Sequence, residues 1–477
     1  MKKAEFKIDR GDKLPNAKCR MPNSGFRLPT SKVLVVGLGV SGFWTARWLA
    51  EQGAEVTVSE MKSEVDLDPG IHTQIAKLGV GLETGGHRRE TFLNAEMIII
   101  SPGVPHDMEL LVAAAKRGIP VIGEMELASR LIDIPIIAVT GTNGKSTVTA
   151  LLGFMLERAG SKVFVGGNIG TPLMAYATGE DRADYAVLEV SSFQLDTIQT
   201  FTPFASVILN ISPDHLDRYP DYESYVGSKL RILKNQGSGS FCILNDDDQR
   251  LSSVKTCSGA SVLRYGFQKK EGRQAVIEDN MIKVSLDGLT QTSLSFESFC
   301  LPGRHNLENL LGAVLTGFAL GIEAPVIEKS IAEFKGLPHR LEQVAECDGV
   351  IFYNDSKATN VDSAVRALSS FDQPLILIAG GRHKGADYAP LVRAARVRVK
   401  RAIFLGEARE LLARSFEGVL PFSMAEDMEE AVSIGLSWAQ RGDVVLLAPA
   451  CSSFDMFSDY SHRGRVFRIA VERLVRG

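Results

Sequence analysis

The chain has 477 residues, enough for roughly three domains at about 150 residues each. Apolar residues at 45%, charged residues at 23% and a formal net charge of -4 are ordinary for a soluble globular protein and give no reason to expect nucleic acid or an anionic membrane as partner. No apolar run approaches the roughly 20 residues that span a bilayer, the N-terminus lacks a secretory apolar core, and the six cysteines show no CxxC spacing, which speaks for reduced thiols in a cytosol and against zinc.

Residues 1–30, basic and interrupted by Pro15, Pro22 and Pro29, read as a mobile tail without chemistry. In "KVLVVGLGVSGFWTARWLAEQGAEVTVSE" the apolar run 33–36 reads as a buried strand, Gly37, Gly39 and Gly42 as a tight turn, and Ser41 onward as a helix. Glu60 closes a second strand at a distance that suits a carboxylate bonded to a ribose. Such a turn stabilises any nucleotide phosphate through the N–H groups and dipole of the helix, so it says nucleotide without saying which. Strand-like runs at 96–100 and 119–122 and a helical period at 107–117 continue a βαβ rhythm to about Gly123.

A second alternation begins at "IPIIAVTGTNGKSTVTALLGFMLERAG", a strand over 134–139 running into a glycine turn and a helix. In "TGTNGKST" the turn leaves backbone N–H groups to ring phosphates, Lys145 brings a point charge to them, and Ser146 is placed to ligate magnesium. A generic phosphate loop has glycine where this chain has Val139, so the match is to the GKS core plus its flanking strand and helix. Magnesium is needed because ATP and an anionic acceptor repel each other. Its ligands belong near strand ends facing the loop, which nominates Glu189, closing "YAVLEV", and His215 in "NISPDHLDRY". Lys229 in "GSKLRILK" reads from its residue type alone as a surface lysine. "FKGLPHR" marks a boundary near 336, and a third alternation follows in "GVIFYN", "PLILIAGG", "RAIFLG" and "DVVLLAP". The expected fold is α/β with three domains in series: Rossmann-like at 31–123, P-loop NTPase-like at 124–336, and Rossmann-like at 337–477.

Two phosphate-binding signatures in separate domains argue for two nucleotides bound at once. A hydride-transfer enzyme has no use for an ATP loop, whereas a ligase whose substrate carries its own nucleotide handle needs both sites.

The motifs "GLGVSG", "SPGVP", "TGTNGKST", "GGNIGTPL", "LEVSSFQL", "DHLDRY", "SKLRI", "LPGRHNLEN", "LPHRLE", "NDSKATN", "GGRHKGAD" and "APACSSFDMFSDYSHRG" together resemble the ATP-dependent Mur ligases of peptidoglycan precursor synthesis, in order from about residue 33 to 467. "SSFQL", "NDSKATN", "KGAD" and "ACSSFDMF" point to the members that add D-glutamate. The resemblance implies that ATP phosphorylates the carboxylate of UDP-N-acetylmuramoyl-L-alanine and that the amine of D-glutamate attacks the acyl phosphate, in the cytoplasm, without nucleic acid or membrane insertion, and in a monomer. It implies that Gly141, Thr142, Asn143, Gly144, Lys145, Ser146 and Thr147 cradle ATP, with Asn309 near the adenine and Arg340, Asp355 and Lys357 also directed to the nucleotide. Ser146, Glu189, His215 and Lys229 become the magnesium set, at two sites, Lys229 as a carbamate. Gly37, Leu38, Val40, Ser41 and Glu60 fall on the UDP site, Asn168 and Ser191 nearer the muramoyl part, and Thr359, Lys384, Ser453 and Phe454 on the D-glutamate pocket. Arg382 and His383 depart from the family pattern beside that pocket. Related readings are another Mur ligase, a folylpolyglutamate synthase with a different acceptor, a non-catalytic nucleotide-binding switch, and the dehydrogenase that the first turn alone suggests.

Overall fold

A computed structural model describes residues 32–67, 69–215, 218–255, 259–286, 291–383 and 385–476; the N-terminal tail and Lys384 lie outside them. The β-branched run KVLVV forms β1 (Lys32–Val36), buried from its second residue onward. It pairs in parallel with β2 (Glu55–Ser59) on one side and β4 (Met97–Ile100) on the other. With β3 (Gly81–Glu83) and β5 (Val121–Gly123) the sheet order is β3-β2-β1-β4-β5. The order reverses at β1, so a crevice opens beyond the carboxyl ends of β1 and β4, the usual ligand position in such sheets.

The second sheet is built from β6 (Ile136–Thr140), β7 (Val163–Gly167), β8 (Tyr185–Glu189), β9 (Ala205–Ile208), β10 (Phe241–Asn245), β11 (Ser261–Gly266), β12 (Ala275–Glu278), β13 (Met281–Val284) and β14 (Thr292–Ser295), in the order β14-β13-β12-β11-β10-β9-β6-β8-β7. Pairing is parallel from β7 to β12 and antiparallel beyond it. The reversal here lies at β6, between β8 and β9. Strands β12 to β14 are short and mixed in polarity, which is why periodicity did not reveal them.

Both sheets belong to one compact unit, residues 1–298 with 309–332. The helix Glu124–Ser129 that follows the first sheet is buried at every position, and its Met125, Leu127 and Ala128 join a core shared by both sheets. Glu126 makes that burial tolerable: its carboxylate accepts from the backbone N–H groups of Gln199, Thr200 and Phe201 and from Arg130. A buried carboxylate is costly unless its oxygens are filled in this way.

The second unit comprises residues 299–308 and 333–477. Its sheet, in the order β15-β16-β20-β17-β18-β19, contains β15 (Glu342–Cys347), β16 (Val350–Asn354), β17 (Leu375–Gly380), β18 (Val399–Leu405), β19 (Phe422–Met424) and β20 (Val444–Leu447). Of the strand pairs in this sheet, β15–β16 is antiparallel and the others are parallel. Apolar clusters cover both faces of this sheet, as the apolar runs of β17, β20 and the second half of β18 require.

Candidate active site

The first glycine turn closes tightly on itself. Gly37 has φ +88, and a Cβ at Gly42 would fall 1.9 Å from the carbonyl oxygen of Gly37, so the helix Val40–Glu51 can start only where it does if position 42 carries no side chain. Ser101, just after β4, donates its hydroxyl to that same Gly37 carbonyl at 2.9 Å. Glu60 stands beside the turn, but its partners are backbone: Oε2 accepts from the N–H of Leu38 at 2.5 Å and Oε1 from Lys62 at 3.0 Å. Gly37, Leu38, Ser41 and Glu60 therefore share one corner of the crevice, with Val40 exposed at its edge.

The second turn carries the chemistry. Residues Gly141 to Gly144 link β6 to the helix Lys145–Arg158, and Gly144 caps that helix in the left-handed region at φ +87. Its first N–H groups find no acceptor within the helix, which is what a phosphate requires. The segment after β9 holds the turn in place: Thr142 N–H donates to the Asn210 carbonyl at 2.9 Å and Asn143 N–H to Asn210 Oδ1 at 2.8 Å. Asn309 packs so closely that a Cβ on Gly144 would lie 2.1 Å from its Oδ1. Asn309, which the resemblance assigns near the adenine, thus has its side chain against the phosphate turn.

Glu189 ends β8 opposite this helix and is buried. Ser146 donates its hydroxyl to Glu189 Oε2 at 2.6 Å, and Asn168 donates its amide to Oε1 at 2.8 Å. A carboxylate and a hydroxyl side by side suit a hard, oxygen-seeking cation such as magnesium. Thr147 Oγ1, one residue along, is buried with no hydrogen-bond partner among the described residues, a second oxygen suited to a bound phosphate or its water. His215 has left-handed backbone at φ +53, and its ring meets the edge of Phe193. Ser191 is occupied as a helix cap, in a reciprocal capping box with Gln194.

Lys229 is not a surface lysine. The helix Tyr222–Leu230 carries it inward, where Nζ donates to the Gly141 carbonyl at 2.7 Å and lies over the Tyr225 ring. Lys145 donates to that same carbonyl at 3.0 Å and to Thr142 at 2.9 Å. Burial, and then the neighbouring Lys145 charge, hold the Lys229 amine well below the ordinary lysine range. Residue type hid this lysine, because a lysine is rarely found fully buried.

In the second unit Asp355 is buried, accepts from the Leu341 N–H at 3.2 Å, and has its carboxyl pushed up to about 6 by burial against the opposing pull of Arg340. Lys357 lies over the ring of Tyr460, and Thr359 N–H donates to the Lys357 carbonyl. Ser453 is buried and Phe454 is 61% exposed. Arg382 pairs with Glu407 and makes two backbone bonds to Ser452, and His383 bonds the hydroxyl of Tyr388, so both departures from the family pattern are tied down locally. Arg463, which no motif reading singled out, organises this corner. It is fully buried and donates to the carbonyls of Ser356, Cys451 and Ser452. Burial lowers its guanidinium to about 10.

Three family models match in succession: the Mur ligase MurD-like N-terminal domain at 31–123, the Mur ligase middle domain at 139–317 and the Mur ligase glutamate ligase domain at 339–451. The chain is 44% identical to the UDP-N-acetylmuramoylalanine–D-glutamate ligase of Desulfosudis oleivorans, over 94% of this chain and 97% of that one. It is 43% identical to the protein of the same name from Koribacter versatilis, over 93% and 97%. Among solved structures it shares its fold with the UDP-N-acetylmuramate–alanine ligase MurC of Thermotoga maritima, with a TM-score of 0.56 at 19% identity over 93% of this chain and 99% of that one. The ADP complex of Thermotoga maritima MurF gives the same TM-score at 16% identity over 93% and 95%. Identity of this order, sustained over nearly the full length of the relatives, means that the chain belongs to the Mur ligase family, on its MurD-like branch.

Proposed function

We infer that the protein is an ATP-dependent amide ligase that joins D-glutamate to UDP-N-acetylmuramoyl-L-alanine in peptidoglycan precursor synthesis. One observation carries the reading: a single compact unit holds two glycine turns at the carboxyl ends of two sheets, the second bearing Lys145, Ser146 and Glu189. One turn takes the UDP handle and the other takes ATP. The enzyme works as a cytoplasmic monomer, with UDP-substrate, ATP and amino-acid regions at 31–123, 124–336 and 337–477.

A carboxylate is a poor electrophile because its oxygen would have to leave as oxide. Transfer of the γ-phosphoryl group of ATP to the L-alanine carboxylate forms an oxygen–phosphorus bond, releases ADP and leaves an acyl phosphate. The amine of D-glutamate then attacks the acyl carbon, and the tetrahedral intermediate expels inorganic phosphate and loses a proton to give the amide. Lys145 and the first-turn N–H groups of the helix Lys145–Arg158 hold the γ-phosphoryl oxygens where charge develops. Ser146 and Glu189 would hold magnesium, which supplies charge neutralisation between ATP and the carboxylate when bound; Asn168 orients Glu189. His215 is assigned beside them on the family pattern.

Lys229 serves this site as a carbamate. Burial favours the neutral form of its amine, the form that reacts: its nitrogen lone pair forms a bond to the carbon of carbon dioxide while a C=O pair moves to oxygen and a proton leaves. The buried amine next to Lys145 thereby becomes an anion, which offsets the Lys145 charge beside Gly141. Arg340, Asp355 and Lys357 are assigned to the nucleotide, and Thr359, Lys384, Ser453 and Phe454 to D-glutamate, whose two carboxylates call for charge-assisted donors. Ser191, whose hydroxyl and backbone N–H both serve the cap, is assigned to the muramoyl part on the family pattern.

The test is Lys145→Ala. Turnover should vanish while UDP-N-acetylmuramoyl-L-alanine still binds, because the first turn is untouched; a variant that retains turnover would contradict the assignment.

A further inference from the structure

Arg218, in the "DHLDRY" segment, has no place in the chemistry above. Its guanidinium carbon lies 4.4 Å over the ring of Phe193, and Nη1 reaches the carbonyl of Gly103 at 3.4 Å. Two other arginines of this protein show what a purely structural guanidinium looks like. Arg231 donates to Leu195 at 2.8 Å and Ile198 at 3.2 Å, satisfying the end of the helix that contains Phe193. Arg463 is fully buried on a ring of carbonyls. Arg218 by contrast is half-buried, and among the described residues its side chain makes one long bond, with its guanidinium over an aromatic face. A guanidinium seated over an aromatic ring is restricted in position, and the fork geometry of its N–H donors suits phosphate oxygens.

Its location selects the anion. Gly103 lies two residues beyond Ser101, whose hydroxyl bonds the Gly37 carbonyl, and a Cβ on Gly37 would touch Ser101 and Val104 at 3.1 Å. The 101–106 loop is thus packed directly on the first glycine turn. The neighbouring carboxylate, Asp196, is occupied by the Tyr219 hydroxyl at 2.7 Å and by His106 at 3.8 Å. On the other face of this cluster the Phe193 ring meets His215. Arg218 is thus tied through Gly103 to the loop that packs on the first glycine turn, beside the diphosphate this turn would hold. We propose that Arg218 binds the diphosphate of the nucleotide-linked substrate and sets the preference for a diphosphate handle. The proposal rests on the reading of the first turn as the site of that substrate.

Calorimetry with uridine, UDP and the complete UDP-muramoyl substrate, on the wild type, Arg218→Met and Arg218→Lys, tests it. In Arg218→Met, UDP and the complete substrate lose affinity by the same factor, about tenfold to a hundredfold, while uridine is unchanged. Arg218→Lys keeps the charge and the stem, loses the fork, and falls between. Unchanged affinity for all three overturns the proposal and leaves Arg218 a strap between loops. Loss for the complete substrate alone overturns it in favour of contact with the muramoyl-alanine carboxylate. Equal loss for uridine in the Lys variant overturns it in favour of a folding role. A wild type that binds UDP no better than uridine removes the reading of the first turn itself, a result distinct from any behaviour of the variants.

Discussion

Glu124 makes the stability of the first unit depend on pH in a predictable direction. It opens the fully buried helix Glu124–Ser129, is 2% exposed, and uses Oε1 to accept from the Met174 N–H at 2.7 Å. Burial raises its carboxyl from 4.5 to about 7, with the Met174 bond pulling the other way. The native state therefore holds a proton that the unfolded chain releases at lower pH. The stability this proton confers is fully present below about pH 4.5 and is lost as pH rises to about 7, which over that span amounts to about 3 kcal/mol. Glu124→Gln keeps the acceptor for Met174 and never ionises. The variant and the wild type should be equally stable near pH 4.5, and the variant should be more stable by about 3 kcal/mol at pH 7 and above. Urea denaturation at a series of pH values reads the difference. Parallel stability curves, or a wild type more stable than the variant above neutrality, would refute the reasoning.

Glu126→Ala removes the acceptor shared by three backbone N–H groups and Arg130 and should cost about 3 to 5 kcal/mol in the same assay; a cost under about 1 kcal/mol would mean that water replaces the carboxylate. Gly144→Ala forces a side chain into left-handed backbone, at about 1 to 2 kcal/mol, and drives a methyl against Asn309. ATP affinity should fall at least about tenfold by calorimetry in a protein that remains folded, and unchanged affinity would show that the turn does not hold the nucleotide. For Lys229, activity should fall in buffer stripped of carbon dioxide and return on adding bicarbonate. Lys229→Arg should be nearly inactive and indifferent to bicarbonate, and a wild type that is equally indifferent would exclude the carbamate.

Glycine turns were legible because their backbone demands them. Gly37 and Gly144 both lie at positive φ, with neighbours that crowd a side chain at Gly37 and exclude one at Gly144, and each follows an apolar run rich in β-branched residues that forms a buried strand. Glu189 was legible for a related reason, since a charge closing a buried strand needs a partner, and Ser146 and Asn168 supply it. Burial against residue type was not legible: nothing in "YESYVGSKL" distinguishes Lys229 from a solvated lysine, and nothing in "EMELAS" shows Glu126 as an internal carboxylate. Contacts between distant segments were equally hidden, among them Asn309 on Gly144, Asn210 on the phosphate turn and Arg463 on the Ser452 carbonyl. Glu60 stands beside the first turn with its oxygens engaged by the Leu38 and Lys62 N–H groups, a local competition that spacing cannot express.

The central claim is the identity of the two substrates joined. Phosphate release from ATP, measured with each pairing of UDP-linked muramoyl substrates and amino acids, tests it most directly. Release should require UDP-N-acetylmuramoyl-L-alanine and D-glutamate together; equal release with L-lysine in place of D-glutamate, or none with any pairing, would contradict it.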